Sequence, residues 1–247
     1  MSVMSATSAI DERISTEFVT ANGLRFEVDM CGDQSSSKLA ICLHGFPEHS
    51  VSWRNQLPLL AELGYKVWAP NMRGYGNSSI PPDKQDYAIE NLLADVAALI
   101  DAAECEETIL LAHDWGAVIA WYFAIREIRP LSKLVICNVP HPGVGLEGAR
   151  WEQLKKSWYI FFFQIPGLPE WLMGRRGNAM GEMIRASSTR PEMYSQEVID
   201  LYSQNAARPG GLTAMINYYR ELFFGGGAKR QKEQGFPIIE TPTLMCW

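Results

Sequence analysis

The sequence is poor in the features that mark disulfide-rich, membrane-spanning and nucleic-acid-binding proteins. Its five cysteines among 247 residues are odd in number and unclustered, which predicts reduced thiols packed as small apolar groups rather than a disulfide framework. The densest apolar stretch, residues 158–163, is far too short to cross a bilayer. The formal net charge of −6 argues against nucleic acid or an anionic membrane surface as a partner.

The N-terminus carries neither a basic segment nor a long apolar core, so no secretory signal is predicted and we expect a cytoplasmic protein. Internal repeats and low-complexity tracts are absent from the sequence. What is present is an ordinary globular composition, with 47% hydrophobic and 20% charged residues. A chain of this length and composition can bury one good core.

Short apolar runs alternate with helical patterns through the first 140 residues. Strands are predicted at residues 15–20, 24–30, 38–43, 66–70, 109–112 and 133–139. The first two are separated by Asn22 and Gly23, a strong hairpin signal. Helices are predicted at residues 53–63 and 89–103, and from Trp115 onward. This alternation indicates an α/β fold, with a mostly parallel sheet and helices on both faces.

The alternation stops after Pro140, and the block at 141–227 is helical in composition and unusually aromatic. We expect this block to be a cap inserted between two strands, over the sheet edge where ligands bind. The glycines at 225–227 and the polar stretch to Gln234 predict a return linker, and Thr243 begins another strand. The predicted division is a core over 1–140, a helical cap over 141–227 and a return to the core over 228–247.

The junction between the strand at 109–112 and the following helix has the layout of a nucleophile elbow. In such an elbow a strand turns sharply into a helix and holds the central side chain exposed at the strand's C-terminal end. The turn needs small residues two positions either side of the apex, and Ala112 and Gly116 flank Asp114 in this way. We predict that Asp114 is a nucleophile, although an aspartate before a helix can also be a simple N-cap.

Aspartate at the apex selects a particular chemistry. A carboxylate with its ordinary pKa of about 3.9 is ionised at neutral pH, and we expect the amide N–H groups of the helix beginning at Trp115 to keep Asp114 charged. Its attack on a saturated carbon gives a stable alkyl ester, which water then cleaves at the carbonyl carbon. Epoxides and alkyl halides are therefore the predicted classes of substrate.

Several motifs in this order resemble those of the epoxide hydrolases in the α/β-hydrolase superfamily. The core motifs are His44-Gly45-Phe46-Pro47-Glu48, Arg73-Gly74-Tyr75-Gly76-Asn77-Ser78, His113-Asp114-Trp115-Gly116 and Asn138-Val139-Pro140-His141-Pro142. The cap motifs are Ser157-Trp158-Tyr159, Phe163-Gln164-Ile165-Pro166-Gly167 and Asn217-Tyr218-Tyr219-Arg220. The resemblance covers the chain from about residue 15 to its end and implies an α/β-hydrolase fold whose last strands and helices are missing.

The resemblance also implies a role for each candidate site residue. Asp114 is the nucleophile, and Tyr159 and Tyr219 donate to the epoxide oxygen, because a phenol of pKa about 10 keeps its proton at neutral pH. A cis proline at Pro47 is implied in the loop that turns a backbone N–H toward the site, and the amides of Phe46 and Trp115 form an oxyanion hole. Binding contacts are assigned to His44, Pro47 and Phe163.

Several alternatives remain open at this point. A tyrosine in an aromatic helix is often only core packing, and Tyr218 is a weaker candidate than Tyr219. His49 and His141 are predicted to be local structure, and the side chain of His44 can be structural too. The alternative functions are a haloalkane dehalogenase, which would have no use for paired tyrosines, and a non-catalytic binding protein with the same fold.

One part of the family pattern is missing from the sequence. Ester cleavage requires a histidine base oriented by a carboxylate, and the four histidines at 44, 49, 113 and 141 all belong to other motifs. We therefore expect a fragment of a longer chain, able at most to form the alkyl ester. The expected partners are a small apolar epoxide and water, no cofactor or metal is implied, and the oligomeric state is open.

Overall fold

A seven-stranded sheet forms the centre of the computed structural model, which describes residues 10–144, 158–174 and 179–247. Its strands are β1 (Ser15–Ala21), β2 (Leu24–Cys31), β3 (Lys38–Leu43), β4 (Lys66–Pro70), β5 (Glu107–His113), β6 (Lys133–Cys137) and β7 (Thr243–Cys246). They lie in the order β1-β2-β4-β3-β5-β6-β7. β2 is antiparallel to β1 and β4, and the other neighbours are parallel.

Helices cover this sheet, and we refer to the helices that follow β6 as the cap. The core helices are α1 (Gln56–Glu62), α2 (Ile89–Ala103) and α3 (Trp115–Ile125). The helices after β6 are α4 (Trp158–Phe162), α5 (Leu168–Gly174), α6 (Ala179–Ser187), α7 (Gln196–Ala207), α8 (Gly211–Tyr219) and α9 (Gly227–Glu233), with a π-helix (Arg220–Phe224) between the last two. Single 3₁₀ turns lie at Ser50–Trp53, Lys84–Tyr87, Pro142–Val144 and Pro191–Met193. No helix in the described parts of the chain is long and apolar enough to span a membrane.

The parallel strands place two loops side by side at one edge of the sheet. β3 is buried after its first residue, and α3 is buried everywhere except Val118, because both segments are apolar on every side. In the register of these strands Leu43 lies beside Ala112, and His113 lies beside Cys137. The loop after β3 therefore meets the junction between β5 and α3.

The structure confirms the predicted fold class, an α/β-hydrolase fold with a mostly parallel sheet. The bounds of β3, β4 and α2 agree with the predicted ones, and the Asn22–Gly23 hairpin forms with both residues at positive φ. The other predicted bounds differ by one to three residues, and two of these differences have a clear physical reason. α1 begins at Gln56 because Pro58 is tolerated only in a first helical turn. β6 ends at Cys137 because Asn138 adopts a left-handed φ of 62°.

The predicted return linker was also wrong, because residues Gly227–Glu233 form helix α9. Gly226, at a φ of 83°, supplies the left-handed residue that precedes the helix. Gln231 is buried, and the Arg230 guanidinium pairs with Glu90 of α2 at 2.9 Å. These tertiary contacts order a stretch whose polar composition alone favours a loop.

Candidate active site

The junction between β5 and α3 is a strained turn with Asp114 at its apex. Asp114 has φ 49° and ψ −118°, a conformation that residues other than glycine adopt only where the surrounding structure enforces it. The N–H of Gly116 donates to His44 O at 2.9 Å, and a Cβ at Gly116 would lie 2.4 Å from Leu43 O. A Cβ at Gly45 would lie 2.4 Å from Asp114 Cβ. The close approach of the two loops is therefore what requires glycine at both positions.

Backbone N–H groups from both loops reach the Asp114 carboxylate. The N–H of Phe46 donates to Asp114 Oδ1 at 2.7 Å, and the N–H of Trp115 donates to the same carboxylate. The Phe46–Pro47 peptide bond is cis, as the resemblance implied. Burial raises the pKa of Asp114 above its ordinary value, because these two N–H groups offset the loss of hydration only in part. The N–H group of Trp115 favours the charged form as predicted, but the prediction did not include the larger opposing effect of burial.

Tyr159 and Tyr219 meet each other from two helices of the cap. Their ring centroids lie 5.8 Å apart at an angle of 85°, and their hydroxyl groups share a hydrogen bond. The Tyr219 ring also packs edge-on against the Trp115 indole at 4.9 Å. Burial, reinforced by the negative charge of Asp114, raises the pKa of both phenols. Both therefore keep their protons at neutral pH and remain hydrogen-bond donors.

A cavity of about 750 Å³ connects these groups. Five of the predicted site residues border it, namely Phe46, Asp114, Tyr159, Phe163 and Tyr219. The rest of its wall is apolar apart from Glu182, and includes Trp158, Phe162, Leu172, Met173, Met180 and Met183. A mainly apolar cavity that is also bordered by the Asp114 carboxylate, two phenols and Glu182 is suited to an apolar ligand that carries an oxygen acceptor.

Two predicted binding residues lie elsewhere. His44 is fully buried beneath the loop, where Nε2 accepts from the N–H of Met72 at 3.1 Å and Nδ1 lies 2.9 Å from Gly45 O. Burial lowers the pKa of His44 to about 4, so its ring is neutral and structural. Pro47 does not border the cavity either. The assignment of binding contacts to these two side chains is therefore corrected.

Comparison with known proteins identifies the family of this chain. The family model described as alpha/beta hydrolase fold matches residues 39–245. Epoxide hydrolase 2 of Siraitia grosvenorii is 30% identical over 234 residues, which cover 85% of this chain and 73% of that protein. The chain belongs to the epoxide hydrolase family of α/β-hydrolases.

Other members of the α/β-hydrolase superfamily match over a similar extent. The AB hydrolase superfamily protein YfhM of Bacillus subtilis (strain 168) is 35% identical over 95% of this chain and 80% of its own length. Human epoxide hydrolase 4 is 34% identical, and the match covers 92% of this chain but 62% of that protein. The crystal structure of epoxide hydrolase VrEH1 from Vigna radiata superposes with a TM-score of 0.80 at 29% identity, covering 95% of this chain and 79% of that one.

Two charged residues beside the site of this α/β-hydrolase were not predicted. Glu48 Oε2 accepts from the N–H of Gly45 at 3.0 Å and lies 3.2 Å from His113 Nδ1, which raises the pKa of His113. The adjacency of β3 and β5 brings this pair together, and since no strand order was predicted, the sequence alone did not reveal it. The second is Arg220, which bonds Asn217 of α8 at 3.4 Å but makes its shorter hydrogen bonds to Phe163 and Glu170, 50 or more residues away in the chain.

The tyrosine and histidines that were predicted to be weaker candidates have structural contacts. Tyr218 is fully buried, and its hydroxyl donates to Arg73 O at 2.8 Å. His49 lies in a buried hydrogen-bonded network with Asn71, and His141 packs on Trp121 at 5.0 Å. Among residues 10–144, 158–174 and 179–247, no group of three or more His, Cys, Asp or Glu side chains is placed to hold a metal ion.

Proposed function

We propose that this hydrolase opens an apolar epoxide toward a vicinal diol through a covalent alkyl ester on Asp114. The observation that carries the proposal is that Asp114, Tyr159 and Tyr219 all border the same cavity. An epoxide needs this combination, since a carbon must be attacked from one side while the departing oxygen receives a proton. The apolar wall favours a substrate with a hydrocarbon body.

In the first step one Asp114 carboxylate oxygen attacks a ring carbon and the carbon–oxygen bond of the ring breaks. The electron pair goes to the ring oxygen, which takes a proton from the phenol of Tyr159 or Tyr219. The products are a hydroxyalkyl ester and a phenolate, which regains its proton from water. Water then adds to the ester carbonyl carbon, and the N–H groups of Phe46 and Trp115, which are directed at the carboxyl group, can stabilise the oxyanion. Collapse of this intermediate breaks the bond between the carbonyl carbon and the alkyl oxygen, which leaves as the second hydroxyl of the diol. The Asp114 carboxyl group then gives its proton to the hydroxide formed when the phenolate was reprotonated.

We expect ester hydrolysis, which releases the diol, to be the slow step of the reaction in this chain. None of its four histidines borders the cavity, and His44 and His113 are engaged by Met72 and Glu48. General-base assistance is worth roughly 10²–10⁴-fold, so we propose that these 247 residues by themselves release the diol slowly enough for the ester to be detected. The five cysteines are free thiols, which fits the cytoplasm as the place of action.

The haloalkane dehalogenase alternative has weaker support. A departing halide needs N–H donors, yet the Phe46 side chain has none, and the Trp115 indole packs edge-on against Tyr219. Two protonated phenols facing the cavity have no task in halide release. The non-catalytic alternative differs from the proposal only in whether bound epoxide reacts, so covalent chemistry separates the two.

The test is the mass of the intact protein after incubation with styrene oxide. We expect one added styrene oxide per chain, localised to Asp114 by peptide mapping, and none in Asp114→Asn. Asp101→Asn, at an exposed acid paired with Arg129, is the matched control and should be labelled like the wild type. A folded wild-type protein that stays unmodified, or an adduct that persists in Asp114→Asn, contradicts the proposal.

A further inference from the structure

Arg220 lies where the helix that carries Tyr219 changes its hydrogen-bonding pattern. α8 ends at Tyr219, and in the π-helix that follows, the N–H of Gly225 donates to Arg220 O at 2.8 Å. Segments of π-helix are rare and occur frequently at functional sites. The orientation of Tyr219 is therefore set at a junction between two helical geometries, where contacts from outside the helix matter.

The Arg220 guanidinium makes such contacts in three directions. Nε donates to Phe163 O at 2.9 Å, one terminal nitrogen donates to Glu170 Oε1 at 2.7 Å, and the other lies 3.4 Å from Ile165 O. Phe163 and Ile165 follow α4, and Glu170 lies in the first turn of α5. A planar fork of N–H donors thus joins the end of α8 to the turn between α4 and α5.

Arg220 is connected to Tyr159 through one turn of helix. The N–H of Phe163 donates to Tyr159 O at 2.8 Å, so the carbonyl that Arg220 holds belongs to the residue that extends the Tyr159 helix. The Phe163 ring also packs against both phenol rings, at 5.1 Å from the Tyr219 ring and 5.7 Å from the Tyr159 ring. Arg220 thus directly follows Tyr219 in the chain and is hydrogen-bonded to the residue one helical turn after Tyr159.

The environment of Arg220 favours a fixed geometry. The side chains of Arg220 and Glu170 are 14% and 19% exposed, whereas the paired side chains of Arg129 and Asp101 on the surface are 43% and 53% exposed. A partly buried ion pair with backbone hydrogen bonds is costly to rearrange, because each lost bond leaves a desolvated charge. Neither Arg220 nor Glu170 borders the cavity, so neither contacts the substrate.

We propose that Arg220 is a positioning residue that holds Tyr159 and Tyr219 at the spacing needed to donate to one epoxide oxygen. The inference rests on the proposed function, since it concerns the same two phenols. Without the guanidinium fork, α8 and the α4–α5 turn lose their common anchor. One phenol then moves out of reach of the epoxide oxygen, while the apolar wall that binds the substrate stays in place.

The test measures the rate of Asp114 alkylation in Arg220→Lys as the styrene oxide concentration is raised. It gives the saturating rate and the concentration of styrene oxide at which the rate is half of that value. Lysine keeps the charge and loses the fork. We expect the saturating rate to fall about tenfold and the half-saturating concentration to change less than about threefold. Arg126→Lys is the matched control, because Arg126 makes three similar bonds to Gln231 and Gly235 outside the cavity, and its rate should not change.

A double-mutant cycle separates positioning from general support of the cap. In a Tyr159→Phe background Arg220→Lys should cost less than about twofold, because no pair of donors remains to be aligned. The inference is wrong if the tenfold loss persists in that background. It is also wrong if the wild type is alkylated and Arg220→Lys is alkylated at the same saturating rate. A folded wild type that is not alkylated at all refutes the proposed function itself. Should Arg220→Lys not fold, Glu170→Gln replaces it in the same cycle, with the same pattern expected.

Discussion

The two sides of the site are held in different ways. On the nucleophile side, β3, β5 and α3 are almost completely buried, and backbone hydrogen bonds and two glycines fix the apex at Asp114. On the acid side, Tyr159 lies on α4, a helix of five residues with no fully buried member. Its neighbours are aromatic rings and the Arg220 guanidinium.

This contrast predicts that mutations on the two sides have different effects. Backbone packing of the sheet sets the geometry of Asp114, so a change there destabilises the whole fold. Side-chain contacts set the geometry of Tyr159 on its exposed helix, so a change there slows the reaction and leaves most of the folding free energy intact. Mutations that affect one side without the other can test this division.

The largest expected effect is the loss of the fold on the nucleophile side. In Gly116→Ala the new Cβ would lie 2.4 Å from Leu43 O, a backbone atom that cannot move without breaking the sheet. We expect at least about 3 kcal/mol of destabilisation, measured by urea unfolding. Gly174→Ala on cap helix α5 is the control, because its Cβ meets no described atom within 4 Å, and it should stay within about 1 kcal/mol of the wild type. Equal losses in both variants would contradict the division.

The second prediction concerns two adjacent tyrosines in the cap. Tyr219→Phe should slow the alkylation of Asp114 by about 10²-fold or more at saturating styrene oxide, because the departing oxygen loses a donor. Tyr218→Phe instead leaves Arg73 O without its partner, and should cost about 1–3 kcal/mol of stability with little change in rate. Stopped-time mass spectrometry and urea unfolding measure the two effects. The division fails if both variants lose rate equally.

The features that were predictable from sequence share a physical reason. A strand covered on both faces must be a continuous apolar run, which made β3, β4 and β5 visible. The elbow demands small residues close in sequence, so Ala112 and Gly116 revealed it. Contacts between distant segments left no such pattern. The Arg220–Phe163 bond joins residues 57 apart, and the raised pKa of Asp114 depends on burial that the finished fold creates.

The smallest expected effect is a pH dependence on the core side. Folding lowers the pKa of His44 from an ordinary 6.5 to about 4, so the unfolded chain binds a proton that the folded chain does not. Stability should therefore fall as the pH is lowered, by about 1 kcal/mol between pH 6.5 and 5.5. His113, whose pKa is raised, acts with the opposite sign and is removed by His113→Gln. In that background urea unfolding should show the loss, and adding His44→Gln should remove most of it, since His141, whose pKa burial also lowers, contributes with the same sign as His44. An unchanged slope would contradict the role of His44.

The most direct test of the central claim is the pH profile of Asp114 alkylation, since the claim is that a charged carboxylate attacks while protonated phenols donate. Burial raises the pKa of Asp114, so the rate should fall at acid pH as the carboxylate gains a proton. The phenol pKa values are raised too, so the rate should stay level from about pH 7 to pH 9. A rate that keeps rising with hydroxide, or one that falls between about pH 7 and pH 9, would contradict this mechanism.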